Sequence, residues 1–110
     1  MPPPAPNAAT GVTGRGAMAV VGLSAASASL MSSANHHAAV GDLGAAAADI
    51  ERALRLEPAQ PRLWLELGEL RLRQGQRDQA RNMARKALTL AGTDEVLRAR
   101  TADLLRRSSH

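Results

Sequence analysis

From residue 41 onward the apolar positions fall three and four apart, the spacing of helices that bury one face. After a turn at Gly41-Asp42, a helix is predicted from Ala45 to Glu57, with Ala46, Ile50, Ala53 and Leu54 on one side. Pro58 and Pro61 bracket a short connection, and Pro61 suits a first helical turn, where its missing N–H costs nothing. The next helix is predicted from Pro61 to Gln74, with Gly75 able to take the left-handed conformation that closes it. Another runs from Asp78 to Ala91 and ends at Gly92. Thr93 is read as the N-cap of a last helix reaching Arg107, where Asp94 and Glu95 complement the positive helix end. Leu97, Thr101, Leu104 and Leu105 would face inward there, leaving Arg98, Arg100, Arg106 and Arg107 in water.

Upstream the pattern weakens. Leu23, Ala26, Leu30, Ala34 and His37 keep helical spacing through a Ser/Ala-rich run, so one helix is expected to carry them on one face. Residues 1–16, rich in Pro, Gly, Ala and Thr, offer too little apolar surface to offset ordering and are expected to form a disordered tail. Residues 17–26 have two readings. They extend the first helix, or they form a weak export signal with Arg15, the apolar Ala17–Ala25 stretch and the small-residue site Ala26-Ser27-Ala28. A single basic residue and a long Pro-rich lead argue against the signal.

The predicted helices also copy one another. Ala46, Ala53, Leu54 and Leu56 recur as Ala80, Ala87, Leu88 and Leu90, each 34 positions later (80 − 46 = 34). Gly41 recurs as Gly75, and Arg52 as the similar Lys86. A fixed period of this size implies one supersecondary unit copied and stacked, which favours binding over catalysis.

Composition sharpens the fold class. Aromatic residues make up 1% of the 110-residue chain and Trp64 is the sole ring among Trp, Tyr and Phe, so Ala and Leu must fill the interior. Close packing through Ala suits helices and not sheets, and the expected class is all-α. The net charge of +4 raises the prior for an anionic partner, although ten acidic residues are interspersed with the bases. There is no cysteine, hence no disulfide or thiolate chemistry, and no apolar run approaches the ~20 residues of a membrane span.

These residues resemble the tetratricopeptide repeat (TPR) family, whose signature is a Trp, then Leu-Gly and an aromatic, followed by spaced Ala, Phe and Pro. Residues 61–94 carry Trp64, Leu67-Gly68, Ala80 and Ala87 at matching distances. Residues 27–60 carry Leu30 in the Trp place, Ala34 in the Gly place, then Ala46, Ile50, Ala53 and Pro58. Arg71 stands where an aromatic is usual, Ala84 where Phe is usual, and Gly92 where Pro closes the repeat. The resemblance implies two helix-turn-helix repeats, residues 27–60 and 61–94, forming an α–α superhelix. Residues 95–110 follow as a capping helix and tail. Gly68, Ala80 and Ala87 would sit where helices cross, with Trp64 and Leu67 filling the wedge.

In this family the first helix of each repeat lines a concave groove, so the resemblance implies a non-catalytic module that binds a peptide or helix of another protein. Carried over position by position, the groove would present Met31 and Asn35, then Arg62, Leu65, Glu69, Leu72 and Arg73. Two destinations remain open for Leu65 and Leu72: a partner, or a neighbouring helix of the same chain. A homodimer is the alternative occupant of such a face. The carboxylate-clamp subtype is disfavoured, because Met31 stands where a Lys is expected and Glu66 where an Asn is expected. Similar short bacterial repeat proteins often belong to envelope or assembly machinery. With no Cys to form a lipobox, the cytoplasm is the default location and the periplasm or envelope the alternative.

Other chemistry finds little support. His36 and His37 are adjacent and point about 100° apart on a helix, so one face cannot chelate with both, and no metal or cofactor is expected. Asp49 and Glu51, or Glu66 and Glu69, read as surface carboxylates with nothing to mark an acid and a base. Gly14-Arg15-Gly16 is too short for a phosphate loop. Arg77, Arg81 and Arg85 form a ridge able to meet phosphates. The absence of Tyr and Phe removes stacking, and Asp78 and Glu69 neutralise part of the patch, so nucleic acid is a distant alternative.

Overall fold

The computed structural model describes residues 22–109; the predicted tail at 1–16 and residues 17–21 of the 17–26 segment lie outside them. Among the described residues five helices follow one another: α1 (Ala25–Ala39), α2 (Leu43–Leu56), α3 (Pro61–Arg73), α4 (Arg77–Leu90) and α5 (Glu95–Ser108). No strand occurs among the described residues, and the chain is all-α. α1 pairs with α2 and α3 with α4, while α5 lies against α4 and α3. The 34-residue period is visible in the boundaries themselves. α2 and α4 start at Leu43 and Arg77, and α3 and α5 at Pro61 and Glu95 (77 − 43 = 95 − 61 = 34).

Local chemistry sets the ends. Ser24, Asp42 and Asp94 cap α1, α2 and α5 by accepting from the N–H of Ser27, Ala45 and Leu97. Asp94 therefore takes the role expected of Thr93, its carboxylate being the better acceptor at a positive helix end. Pro61 occupies the first turn of α3, as its sequence position suggested. Gly75, at φ +80°, lets the chain reverse between α3 and α4.

The core falls into two clusters with α3 between them. Leu63, Leu67 and Leu70 pack with Met31, Ala34, Ala46, Ala47, Ile50, Ala53 and Leu54 of the first pair. Leu65 packs with Ala84, Ala87, Ala91, Leu97 and Leu104 on the other side. The face of α1 is rotated from the one the sequence suggested: Ser27, Met31 and Ala34 are buried, whereas Ala26 is exposed. Ala46, Ala53, Ala80 and Ala87 are wholly inaccessible, which lets the helices approach closely. Trp64 keeps its edge near the surface, donating from Nε1 to the Pro58 carbonyl at 2.7 Å, with the Lys86 ammonium 5.9 Å above its ring.

The closest approach is at Gly68. A Cβ there would stand 2.7 Å from Leu104 Cδ2, 3.2 Å from Met83 Cβ and 3.4 Å from the Ala80 carbonyl oxygen. Leu104 is itself fully buried and has little room to yield. Arg71, in the place usual for an aromatic, donates to Glu51 at 2.8 Å and to Gln74 at 3.0 Å, tying α3 to α2 by charge instead of by a ring. Glu57 does the same for the start of α1: it accepts from the Ser24 N–H at 3.0 Å and from its hydroxyl at 2.9 Å.

Two measurements follow from this packing. Gly68→Ala adds helix propensity of about 1 kcal/mol but overpacks a filled crossing, which costs about 1–3 kcal/mol. The second effect wins, and urea unfolding is expected to show a net loss of about 1 kcal/mol. Gly44→Ala, whose new Cβ meets only Asp42 Oδ1 at 4.0 Å, is expected to gain about 0.5 kcal/mol instead. Acid provides the second test. The nearby Ser27 hydroxyl, foremost, and hydrogen bonds from the Ser24 N–H and hydroxyl hold the Glu57 carboxyl below its ordinary value of 4.5. A carboxyl lowered on folding stabilises the fold above its unfolded pKa, and that contribution disappears as pH falls. Stability is therefore expected to drop from about pH 4.5 downward, and Glu57→Gln should flatten the upper part of that curve in pH-dependent urea melts.

Candidate protein-interaction surface

The first helices of the two pairs leave a cleft between them. Its floor is Ala34 and Ala38 of α1, Ile50 of α2 and Leu70 of α3; its edge is Asn35, Glu66, Glu69 and Arg73. The α3 residues come from positions 66, 69, 70 and 73, three and four apart, and so form one stripe of a helix. The cleft holds about 100 Å³. That is smaller than the ~150 Å³ cavity known to admit benzene, and enough for one short aliphatic side chain.

Charge on this face is arranged unevenly. Glu66 accepts from Arg62 at 2.8 Å and lies 3.6 Å from Arg100. Glu69 pairs with Arg107 at 2.8 Å, and Arg107 also reaches Asp103 at 2.8 Å. Arg107 holds the Asp103 carboxyl below its usual range, with Arg106 adding to the effect. The carboxylates sit underneath, their side chains 18% and 26% exposed at Glu66 and Glu69, whereas Arg100 and Arg107 are each 43% exposed. The α3–α5 half is thus closed by its own ion pairs, with guanidinium groups outermost. Arg73, by contrast, meets no carboxylate among the described residues, and donates only to the Ala38 carbonyl at 3.4 Å.

The structure separates the expected binding residues. Asn35 and Arg73 are exposed at the cleft, and Glu69 and the half-buried Arg62 lie on the same face in ion pairs. Met31 and Leu65 are a correction: at 2% and 0% exposure they belong to the core. α2 covers Met31, and α4 with α5 covers Leu65, because α3 is packed on two sides and its leucines divide between both clusters. Leu72 is half-buried against the second cluster, so the neighbouring helices take it as well.

Sequence reasoning missed Glu66, Ala38, Ile50 and Leu70 as lining residues, and Arg100 and Arg107 as members of the face. A usable signal existed for the last two. Arg100 and Arg107 lie 34 positions after Glu66 and Arg73, so carrying the period into α5 places them beside those residues.

Asp49 is a second correction. It is not a surface carboxylate but 3% exposed, bonded to Arg52 and 3.7 Å from His37 Nε2. The Ser33 hydroxyl, foremost, holds its carboxyl below the ordinary 3.8, with Arg52 and His37 helping and burial opposing. Ser33 and His37, four residues apart on α1, thus both act on this carboxylate. Among the described residues no three His, Cys, Asp or Glu are grouped to hold a metal ion, and no helix is long and apolar enough to cross a membrane. The Arg ridge of α4 is partly consumed: Arg81 pairs with Asp78 at 2.6 Å and donates to the Ser108 carbonyl at 3.2 Å. Glu69 takes no part there, being held by Arg107.

Comparison with known proteins agrees with this architecture. A tetratricopeptide repeat profile matches residues 37–104. Among solved structures, the globular C-terminal domain of P. aeruginosa LpoP superposes with a TM-score of 0.76 at 32% sequence identity, over 78% of this chain and 81% of that one. No curated protein sequence matches significantly. The five helices, their 34-residue register and these two matches place the chain in the tetratricopeptide repeat family, helical arrays whose usual work is binding other proteins.

Proposed function

We propose that the chain is a non-catalytic binding module and that the α1–α3 cleft receives a segment of another protein. One observation carries this reading: an apolar hole sized for a single side chain opens beside Arg73, the one cleft cation without a carboxylate partner among the described residues. An aliphatic side chain in the hole would cover Ala34, Ala38, Ile50 and Leu70. Arg73 and Asn35 at its edge would then meet polar groups of the same segment, Arg73 as donor and Asn35 as donor or acceptor.

Affinity capture from the native host tests the reading. Ala38→Trp fills the hole, and Arg73→Glu reverses the charge beside it. Each is expected to reduce recovery of the captured partner by about tenfold or more, with helicity by circular dichroism unchanged. Equal recovery by wild type and both variants would remove the cleft from consideration.

A further inference from the structure

The outer side of α5 is the second open surface, and the repeat itself says what fits there. In α1, α3 and α5 the positions Ala34, Gly68 and Ala102 correspond (68 − 34 = 102 − 68 = 34), as do His37, Arg71 and Leu105. Ala34 and Gly68 are buried where α1 pairs with α2 and α3 with α4. At Gly68 the crossing helix is α4, whose Ala80 carbonyl and Met83 Cβ lie against it. No described element takes that position over α5. Ala102 and Leu105 are only half-buried there and, with Arg106 and Ser109, line a shallow and largely apolar hollow.

We infer that this hollow docks an α-helix of a partner protein, one with small residues at i, i+4 and i+7 and carboxylates beside them. The small-residue spacing is that of α4, which covers the equivalent face of α3 with Ala80, Ala84 and Ala87, each fully buried; α2, over α1, keeps Ala46 and Ala53 at the outer two of these positions with Ile50 between them. The carboxylates follow from the rim. Arg106 has a side chain 68% exposed, and Arg98 stands four residues before Ala102 on the same helix. Asp103 is already engaged by Arg106 and Arg107, and Asp94 and Glu95 lie at the far N-terminal end of α5.

A second copy of this chain fits poorly. The small-residue stripes of its α2 and α4 are buried within the fold. Its α5, laid antiparallel across Ala102, would set Arg98 opposite Arg106 (98 + 106 = 2 × 102), and directly opposed like charges repel. The inference does not depend on the α1–α3 cleft.

Two synthetic peptides and the full chain test it. One peptide is residues 77–90 carrying Arg77→Glu, Arg81→Glu, Arg85→Glu and Lys86→Glu; the other keeps the native bases. Each is titrated at low salt into the ¹⁵N-labelled protein and followed by amide shifts. The acidic peptide should give saturable shifts concentrated in residues 98–109, and bind at least about tenfold more tightly than the basic one. Ala102→Trp should abolish those shifts. Arg98→Glu with Arg106→Glu should reverse the preference between the peptides, which keeps the test valid if the Trp variant misfolds. Absence of shifts, equal affinity for the two peptides, or shifts confined to Asn35, Arg73 and their neighbours would overturn the inference. So would a dimer in sedimentation velocity that Ala102→Trp dissociates.

Discussion

Everything in this fold depends on how near α3 can come to its neighbours. Gly68 has no side chain, and an added carbon would stand within 2.7 Å of Leu104 and 3.2 Å of Met83. Ala80, Ala84 and Ala87 complete the contact from α4, each wholly buried. Because the crossing is so close, α3 is covered on two sides and not one. Its leucines at 63, 67 and 70 enter one cluster and Leu65 enters the other. Dense packing of this kind is worth more than any single polar contact on the surface, where exposed ion pairs contribute about 0–1 kcal/mol each.

The same packing explains which parts of the structure were legible beforehand. Helix positions were, because the three-and-four spacing and the 34-residue copy each marked them independently, and the boundaries of α2 to α5 differ from expectation by a residue or two. What could not be read was how many neighbours each helix would have. Leu65 belongs to a face that is apolar in sequence whether a partner or α5 covers it, and local spacing does not decide between them. Met31 failed for a related reason: the weak pattern of α1 permits more than one rotation, and packing against α2 selects the one that buries Ser27, Met31 and Ala34. Asp49 looked like a surface acid because acids usually are. The period places it in register with Met83, on an inward side, where Ser33, Arg52 and His37 make its burial tolerable.

Charge then distributes what packing leaves open. Thirteen of the chain's fourteen basic residues are Arg, whose planar fork suits carboxylate pairing, and many are committed inside the molecule. Arg62, Arg100 and Arg107 cover Glu66 and Glu69, Arg71 holds Glu51, and Arg81 holds Asp78. A basic composition is thereby converted into a lattice of internal pairs, and the bulk charge overstates what a polyanion would meet. The lattice leaves Arg73 beside the cleft without a carboxylate among the described residues, and it leaves the exposed Arg106 beside the hollow on α5 sharing Asp103 with Arg107.

The position of α5 joins these points. Stacked repeats bury their faces only against neighbours, and fewer than three are normally too few. α5 repeats α3 at a distance of 34, with Leu97 and Leu104 in the places of Leu63 and Leu70, and it seals Leu65, Ala84 and Ala87 from water. It therefore supplies the half of a third repeat that the second pair requires. Its other side, with Ala102 where Gly68 lies under α4, keeps the shape of a surface made to be covered. A helix that closes the core on one side while repeating the pairing geometry on the other can act as both cover and dock: the cover rests on Leu97 and Leu104, the hollow on Ala102 and Arg106, and Leu105 is shared between them.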